Sequence, residues 1–443
     1  PLARTFVLCY TGYIQGADNG DRKGDGIPMT RQYLCIDIKS FFASAECVER
    51  GLDPMTTDLI VADPTRTEKT ICLAVSPSLK AKGVRNRCRV FEIPKGLTYL
   101  TAPPRMQLYI RYSADVYTRY LQYVSSEDIH VYSIDEAFLD VTHYLAMYRM
   151  TAEELARHIL ADLRENTGLP ASCGIGTNLY LAKIALDITA KHAPDRIGQL
   201  TEESYRETLW DHRPLTDFWR IGPRTAARLA QCGITTMRQL AHAYEDRLYR
   251  LFGVDAELLI DHAWGREPTT IADIHAYQPK TTCLSRGQVL PCPYPFDKAR
   301  LVLQEMTDAL SLELVERGQA AGAVMLSVSY GRQAPPSCRT LSLDSPTSST
   351  RRLTEHTLLL FDRITDRSLP IRQLNLTFQR LAEEGGQQLD LFHDAEAEER
   401  EKQLQKTLLS IRKRYGKAAV FKGMDLEEGA TALERFEQIG GHH

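Results

Sequence analysis

Three carboxylates stand where two stretches of strand-forming residues end. Asp37 closes the apolar stretch Gln32–Ile38, and Asp135 and Glu136 sit together in a second such stretch 98 residues later. Adjacent strand residues point to opposite faces, so this pair converges only where the backbone bends. Carboxylates without a histidine cluster are the donors that Mg²⁺ prefers. Two such ions about 3.5–4 Å apart suit in-line attack at phosphorus.

The spacing also fits a plainer interpretation. Asp37 would cap the helix predicted at Phe41–Arg50, and Asp135 and Glu136 would occupy a solvated turn. On spacing alone this second interpretation is favoured, because short carboxylate motifs have many false positives.

The elements around these residues alternate between strand and helix up to about residue 200, which predicts an α/β or α+β fold with a central sheet. Leu59–Ala62 and Thr70–Val75 flank a polar turn and predict a hairpin. Strands are expected on both sides of a turn at Ser133–Glu136, and Thr151 with Glu154 forms a capping box.

Residues 205–273 have helical periodicity and predict a small all-helical domain. Residues 280–380 return to strands separated by helices, which predicts an α+β domain of about 100 residues. A linker is expected at Tyr277–Pro279.

Composition limits the protein class. The 443 residues are 43% apolar and 25% charged, and no apolar run reaches 18 residues, so no membrane span is expected. Ten cysteines are scattered without metal-ligand spacing, which favours free thiols in a reducing cytoplasm.

The net charge of −3 conceals a basic segment at 66–95 and an acidic one at 383–401, with eight acidic residues and one basic. The basic segment is either a solvated face or a phosphate-contacting surface.

Three sequence motifs favour the metal-site interpretation of the carboxylates over the helix cap and solvated turn. CIDIKSFFASAE (35–46), VYSIDEAFLDVT (131–142) and GIGTNLYLAKIALDITAK (174–191) closely resemble the Y-family, or translesion, DNA polymerases, nearest to the UmuC-like proteins of Gram-positive bacteria. The resemblance implies a right-hand polymerase of α/β and α+β domains, with a ferredoxin-like palm, small fingers, a helix–hairpin–helix thumb and an α+β little finger. The implied divisions are a lead-in at 1–29, palm at 30–40 and 106–204, fingers at 41–105, thumb at 205–273, little finger at 274–382 and an acidic tail at 383–443.

The same resemblance assigns roles to the carboxylates. Asp37 and Asp135 would bridge two Mg²⁺ ions, Glu136 would face the primer 3′ end, and the Ile38 carbonyl would be a further ligand. Lys39, where many relatives carry an acidic or amide residue, is expected outside the metal site.

Nucleotide contacts are implied in the same way. Phe42 matches the steric gate that excludes a ribose 2′-OH, and the N–H groups of Phe41 and Phe42 would hold phosphate at a helix start. Lys183 matches a triphosphate lysine, although it also stands four residues from Asp187 on a helix. Lys80 replaces the usual arginine and Ser76 supplies a hydroxyl. Pro77 stands where the family has tyrosine, which weakens the expected clamp.

DNA and clamp contacts are expected further along the chain. Residues 221–241 resemble a helix–hairpin–helix in which Ile221, Gly222 and Arg224 would meet duplex phosphates, with Arg220 where the family has glycine. The tail peptide resembles a sliding-clamp binding motif, whose alternative is the start of an amphipathic helix. Its expected contacts are Gln388, Leu389, Leu391 and Phe392.

The predicted function is template-directed, error-prone DNA polymerisation past damaged bases. Expected partners are primer–template DNA, dNTP and the sliding clamp, for a monomer in the bacterial cytoplasm associated with the nucleoid. The alternatives are a catalytically weak DNA-binding protein of the damage response and a palm-fold nucleotidyl cyclase. The clamp peptide and the hairpin argue against the cyclase.

Overall fold

The computed structural model describes residues 30–63, 67–278, 282–384 and 395–438. The chain divides into two compact units, Pro1–Pro279 and Lys280–His443, here called the first and second units. Within the described ranges, no helix is both long enough and apolar enough to cross a membrane.

The first unit is built on a central sheet. Its described strands are β1 (Tyr33–Ile38), β2 (Leu59–Val61), β3 (Ala74–Val75), β4 (Leu100–Ala102), β5 (Ile129–Val131), β6 (Glu136–Asp140), β7 (Ala171–Gly176) and β8 (Ile197–Leu200). Five of them form a sheet in the order β5-β6-β1-β7-β8. Strand β1 is central and antiparallel to both neighbours, whereas β7 and β8 are parallel. The mixed α and β class is as expected.

Helices follow or cover these strands. In the first unit they are α1 (Phe41–Glu49), α2 (Pro77–Ala81), α3 (Met106–Tyr120), α4 (Tyr144–Tyr148), α5 (Ala152–Thr167), α6 (Leu179–Ile184), α7 (Glu202–Thr208), α8 (Pro223–Gln231), α9 (Met237–Ala241), α10 (Glu245–Phe252), α11 (Asp255–Trp264) and α12 (Ile271–Ala276). Thr151 and Glu154 form the predicted capping box of α5. Asn178 caps α6, which continues as a π-helix over Ala185–Ala190.

The two faces of the central sheet are covered differently. One face packs into a large apolar core shared with α3 and α5. On the other face α6 and the π-helix approach β7 so closely that only glycine fits beneath them. A Cβ on Gly174 would lie 2.1 Å from the Ala182 carbonyl oxygen, and one on Gly176 would lie 2.1 Å from the Ala182 nitrogen. The side chains of α6 are therefore held at short range over the middle of the sheet.

A smaller three-stranded sheet, ordered β3-β2-β4, lies between α1 and α3 in sequence. The predicted hairpin is confirmed, because β2 and β3 pair antiparallel. Strand β4 pairs parallel to β2 and was not expected. Its first two residues are exposed, so it lacks the apolar run by which a short strand is identified.

The second unit contains a four-stranded antiparallel sheet and two long helices. The elements are β9 (Cys283–Tyr294), α13 (Phe296–Arg317), β10 (Gln319–Ser329), β11 (Ser337–Thr347), α14 (Thr350–Ile364) and β12 (Ile371–Glu383), with sheet order β11-β10-β12-β9. Strand β9 was missed in the sequence because it contains one glycine and two prolines, residues that a strand tolerates mainly at a sheet edge.

The described C-terminal residues, which are part of the second unit, add the long helix α15 (Ala395–Tyr415) and the short helix α16 (Ala432–Glu437). Gln405 is buried and donates to the Thr350 hydroxyl at 2.7 Å. The sequence predicts that the residues after Glu383 turn acidic and then helical, and α15 confirms the helical part. Within α15, Glu398 pairs with Arg352 at 3.2 Å, so this part of the predicted tail belongs to the compact second unit.

Candidate active site

The three expected metal carboxylates lie at the same end of two paired strands. Asp37 on β1 is directly opposite Glu136 on β6, so both side chains project from one face of the sheet. The Ile38 N–H donates to the Asp135 carbonyl at 2.9 Å, which ties the neighbouring turn to the end of β1. Burial, and next the charges of Asp135 and Glu136, raise the pKa of Asp37 to about 7. The strand register and this backbone hydrogen bond bring the three acidic residues to one end of the sheet.

A tight turn before β6 allows adjacent acidic residues to share this region. The N–H groups of Tyr132 and Ser133 both donate to the Glu136 carbonyl, at 2.9 and 3.0 Å. The Ser133 hydroxyl donates to Asp135 Oδ1 at 2.6 Å and fixes the orientation of that carboxylate. The backbone thus bends where the sequence required a bend.

Glu136 is held inside the protein by a buried cation. Lys183 Nζ lies 2.8 Å from Glu136 Oε1, and the Cys35 thiol donates to the same oxygen at 3.2 Å. Glu136 and Lys183 are 8% and 7% exposed. Burial lowers the pKa of Lys183, but Glu136, Cys35 and Asp187 outweigh burial and raise it above its usual value. Lys183 therefore stays charged.

Lys183 also makes the helical pair anticipated from sequence, with Nζ 3.0 Å from Asp187. Its contact with Glu136 could not be read from spacing, because it depends on how closely α6 packs over β7. The glycines at 174 and 176 were the available signal, since small residues in a strand mark close approach of another backbone.

The donor chemistry of Asp37 and Asp135 suits Mg²⁺, because hard cations take carboxylate oxygen. The arrangement is incomplete, however: among the described residues, no three His, Cys, Asp or Glu side chains are grouped so as to hold a metal ion. The Glu136 carboxylate is turned to other partners, because its oxygens contact Lys183 and the Cys35 thiol. Glu136 could contribute to such a site only after leaving Lys183, because Lys183 Nζ lies 2.8 and 2.9 Å from its two carboxylate oxygens.

The expected steric gate is a half-buried aromatic ring at the start of α1. The Phe42 ring stacks on Tyr109 with centroids 4.4 Å apart and planes 17° apart. Phe41 is 3% exposed and belongs to the core. The N–H groups of Phe41 and Phe42 lie in the first turn of α1, where N–H groups have no acceptor within the helix.

A buried carboxylate beneath the gate escaped the sequence analysis. Glu46 is fully buried and accepts hydrogen bonds from the Tyr109 hydroxyl at 2.8 Å and from Arg105 at 2.7 and 3.0 Å. Arg50 forms a further ion pair with it. The available signal was its position four residues after Phe42, on the same helical face. This network fixes the ring on which Phe42 stacks.

The finger-side contacts need one correction. Ser76 was expected to supply a hydroxyl to nucleotide, but it is fully buried and its Oγ accepts from the N–H groups of Leu59 and Leu79 at 3.1 and 3.4 Å. It is the cap of α2 and offers no surface to a ligand. Lys80 Nζ lies 2.8 Å from the Ser40 hydroxyl, just before α1.

The three residues expected to contact DNA from the predicted hairpin differ in their exposure. Ile221 is 3% exposed, and its N–H donates to the Phe218 carbonyl at 3.1 Å, so the expected DNA contact through Ile221 is wrong. Gly222 caps α8, and both it and Arg224 are exposed. The expected clamp contacts at 388, 389, 391 and 392 lie outside the described residues.

Comparisons with known proteins agree with one another. Residues 36–187 match the impB/mucB/samB family, and residues 285–391 match the C-terminal domain of that family. The chain is 31% identical over 428 residues to a Bacillus subtilis (strain 168) protein named UvrX for UV-damage repair, covering 93% of this chain and 97% of that protein. It is 29% identical to DNA polymerase IV 2 of Halalkalibacterium halodurans, covering 94% and 100%. A solved Y-family DNA polymerase chimera of Dbh and Dpo4 has a TM-score of 0.61 at 17% identity, over 79% of this chain and 98% of that one.

Proposed function

This chain belongs to the impB/mucB/samB family and is a UmuC-like, Y-family DNA-directed DNA polymerase, and we propose that it extends primers across damaged template bases by two-metal phosphoryl transfer. Support comes from one observation above all: Asp37 and Glu136 pair at the end of β1 and β6, with Asp135 in the adjoining turn. Template–primer DNA and dNTP are the substrates of such an enzyme.

In the proposed reaction the primer 3′-OH attacks the α-phosphorus of dNTP and pyrophosphate leaves. Asp37, Asp135 and the Ile38 carbonyl would hold two Mg²⁺ ions, which when bound lower the pKa of the 3′-OH and stabilise the leaving pyrophosphate. Lys183 would bind the triphosphate, and Glu136, released from Lys183, would face the primer end. The N–H groups of Phe41 and Phe42 would donate to phosphate oxygens at the start of α1.

Sugar selection is assigned to Phe42. A flat ring beneath the sugar leaves no space for a 2′-OH, so deoxynucleotides are preferred. The Phe42 ring stacks on Tyr109, and the Tyr109 hydroxyl is held by Glu46. These contacts support the assignment, because a ring that excludes the 2′-OH must keep a fixed position.

Lesion bypass is assigned to small fingers at 41–105, between palm segments at 30–40 and 106–204. Weak enclosure of the new base pair accommodates damage and lowers fidelity, since discrimination depends on shape.

We assign 205–273 to the thumb and 274–382 to the little finger, with Gly222 and Arg224 contacting duplex phosphates. Lys80 would complete the triphosphate contacts.

We further propose that the peptide Gln388–Phe392 tethers a monomeric enzyme to the sliding clamp in the bacterial cytoplasm, at the nucleoid DNA. Tethering replaces intrinsic affinity with effective concentration. Deletion of 388–392 should leave distributive synthesis unchanged and remove stimulation by the clamp. Retained stimulation would contradict the tethering role.

The decisive experiment is primer extension with Mg²⁺ on undamaged and abasic-site templates. Extension past the abasic site is expected, and Asp135→Ala should abolish it. Lys413→Ala, a change of an exposed side chain on α15, is the control for purity and folding. No bypass by the purified chain, with or without clamp, would refute translesion activity, and extension by Asp135→Ala would refute the metal assignment.

A further inference from the structure

A hydrogen bond connects the helical part of the first unit to the residue just before the turn that carries Asp135. The Trp219 indole N–H donates to the Tyr132 hydroxyl at 3.1 Å, and the two rings meet edge to face at 5.8 Å and 80°. Trp219 lies three residues before Gly222, at the entry to the hairpin. Tyr132 is the last residue before the turn at 133–135. The bond therefore spans two regions that have separate proposed roles.

Tyr132 also lies against Lys183. The Lys183 ammonium is 5.9 Å from the centroid of the Tyr132 ring, a distance at which the ring quadrupole attracts a cation. The backbone of Tyr132 is fixed as well, because its N–H donates to the Glu136 carbonyl at 2.9 Å. Since Lys183 is 7% exposed, the groups around it decide where its charge lies.

The Tyr132 ring has little freedom to turn. Phe138, which is 2% exposed, meets it at 5.8 Å and 90° on one side, while Trp219 meets it on another. Phe138 projects from the same face of β6 as Glu136, two residues along the strand. Packing thus fixes the ring plane, and the Trp219 hydrogen bond fixes the hydroxyl.

We propose that Tyr132 is a positioning residue for Lys183 and that Trp219 holds Tyr132 in place from the entry to the hairpin. This inference rests on the proposed role of Lys183 as a triphosphate ligand. Tyr132 itself touches neither substrate: it sets the position from which the Lys183 ammonium leaves Glu136 for the phosphates. Neither aromatic residue was singled out by the sequence motifs.

The test is single-nucleotide incorporation by the full chain carrying Tyr132→Phe or Trp219→Phe. Tyr132→Phe removes the hydroxyl and keeps the ring, whereas Trp219→Phe removes the indole N–H and leaves a smaller aromatic ring. We expect KM for dNTP to rise about two- to tenfold, the range that corresponds to one hydrogen bond, with kcat within about twofold. The double variant should be no worse than the poorer single variant, because both changes remove the same bond.

Two matched controls separate positioning from general stability. Tyr148→Phe removes a tyrosine hydroxyl that donates to the Tyr123 carbonyl at 2.8 Å, and Trp210→Phe removes an indole N–H that donates to the Ala263 carbonyl at 2.7 Å. Neither group lies at the proposed site, so KM should stay at the wild-type value in both. If Tyr132→Phe and Trp219→Phe behave like these controls, or if their effects on KM multiply, the positioning role is refuted.

Lys183→Met distinguishes this failure from failure of the proposed function. If Lys183→Met leaves KM for dNTP unchanged, Lys183 is not a triphosphate ligand. If it raises KM while Tyr132→Phe and Trp219→Phe match their controls, only the positioning role is lost. Lys183→Arg keeps a charge beside Glu136 and replaces Lys183→Met in this comparison should the latter not fold. In the Lys183→Met background, Tyr132→Phe should add no further rise in KM, because the charge that Tyr132 positions is gone.

Discussion

Lys183 Nζ lies 2.8 Å from Glu136 Oε1, with both side chains almost fully buried. Lys183 cannot neutralise Glu136 and hold a triphosphate from the same position. If Lys183 binds the triphosphate and Glu136 takes part in cation binding, as proposed, the two events are linked, because each requires the ion pair to open. In the proposed reaction, the pair present in this structure would be exchanged for contacts with substrate.

The first prediction concerns the stability that this pair provides. Lys183→Met should lower the free energy of unfolding of the first unit by about 3–5 kcal/mol, because it leaves a buried carboxylate without its cation. Lys191→Met is the matched control: Lys191 pairs with the same Asp187 at 3.0 Å, but its side chain is 54% exposed. Its loss should cost less than about 1 kcal/mol.

Tryptophan fluorescence suits this measurement, since the three tryptophans, Trp210, Trp219 and Trp264, all lie in the first unit. Equal shifts of the denaturation midpoint for the Lys183 and Lys191 variants would show that burial of the pair contributes nothing.

The second prediction concerns the gate. Phe42→Ala should raise the ratio of ribonucleotide to deoxynucleotide incorporation at least tenfold, because the 2′-OH would then find space. Tyr109→Leu should raise the ratio less, since Phe42 remains but loses the ring on which it stacks. Phe91→Ala, which removes a ring that is 55% exposed in the same region, should leave sugar selectivity unchanged. Unaltered selectivity in Phe42→Ala would remove the gate assignment.

The sequence predicted the elements of this site better than their contacts. The turn at Ser133–Glu136 and the caps at Thr151 and Asn178 are local features, set by residues within a few positions of one another, and each is present. The ion pair of Glu136 with Lys183 joins residues 47 apart, and its geometry depends on how α6 packs over β7. Such a contact leaves no local pattern.

The errors have related causes. Ser76 and Ile221 were assigned to ligands because they fall within motifs, yet burial and existing hydrogen bonds occupy them. Glu46 was overlooked for the opposite reason: an acidic residue on a helix is usually a solvated one. Its partner Arg105 is 59 residues away, and only the folded chain brings the two together.

The third prediction concerns pH. Burial raises the pKa of Glu46, but hydrogen bonds from Arg105, Arg50 and Tyr109 outweigh burial and hold the pKa below its usual value of 4.5. The stability that Glu46 provides is therefore fully present above about pH 4.5, the unfolded value, and is lost as the pH falls through the lower folded value.

Glu46→Gln should accordingly lower the stability of the first unit at pH 7 and flatten its decline below pH 4.5, measured by denaturant titration at several pH values. Glu49→Gln is the control on the same helix, since Glu49 has an exposed pair with Arg111 at 3.6 Å. If the free energy of unfolding falls equally steeply below pH 4.5 in wild type and in Glu46→Gln, the proposed contribution of Glu46 to acid stability is contradicted.

The last prediction concerns the C-terminal residues of the second unit, which contact helix α13 of the same unit. Glu305 on α13 is 4% exposed, and its carboxylate accepts hydrogen bonds from the Thr431 hydroxyl at 2.8 Å and from the N–H groups of Thr431 and Ala432. Thr431→Val should destabilise the second unit by about 1.5–3 kcal/mol, the usual value of a hydrogen bond to a charged group. Thr407→Val, whose exposed hydroxyl donates within α15 at 2.8 Å, should cost less than about 0.5 kcal/mol.

Because the second unit contains no tryptophan, the measurement is hydrogen exchange of peptides from Phe296–Arg317. Faster exchange there in Thr431→Val, with no change in Thr407→Val, is expected if the C-terminal residues stabilise α13. Deletion of 395–443 should then accelerate this exchange more than Thr431→Val does. The deletion also removes the contacts of Gln405 with Thr350 and of Glu398 with Arg352. Unchanged exchange after that deletion would mean that these contacts form without stabilising the unit.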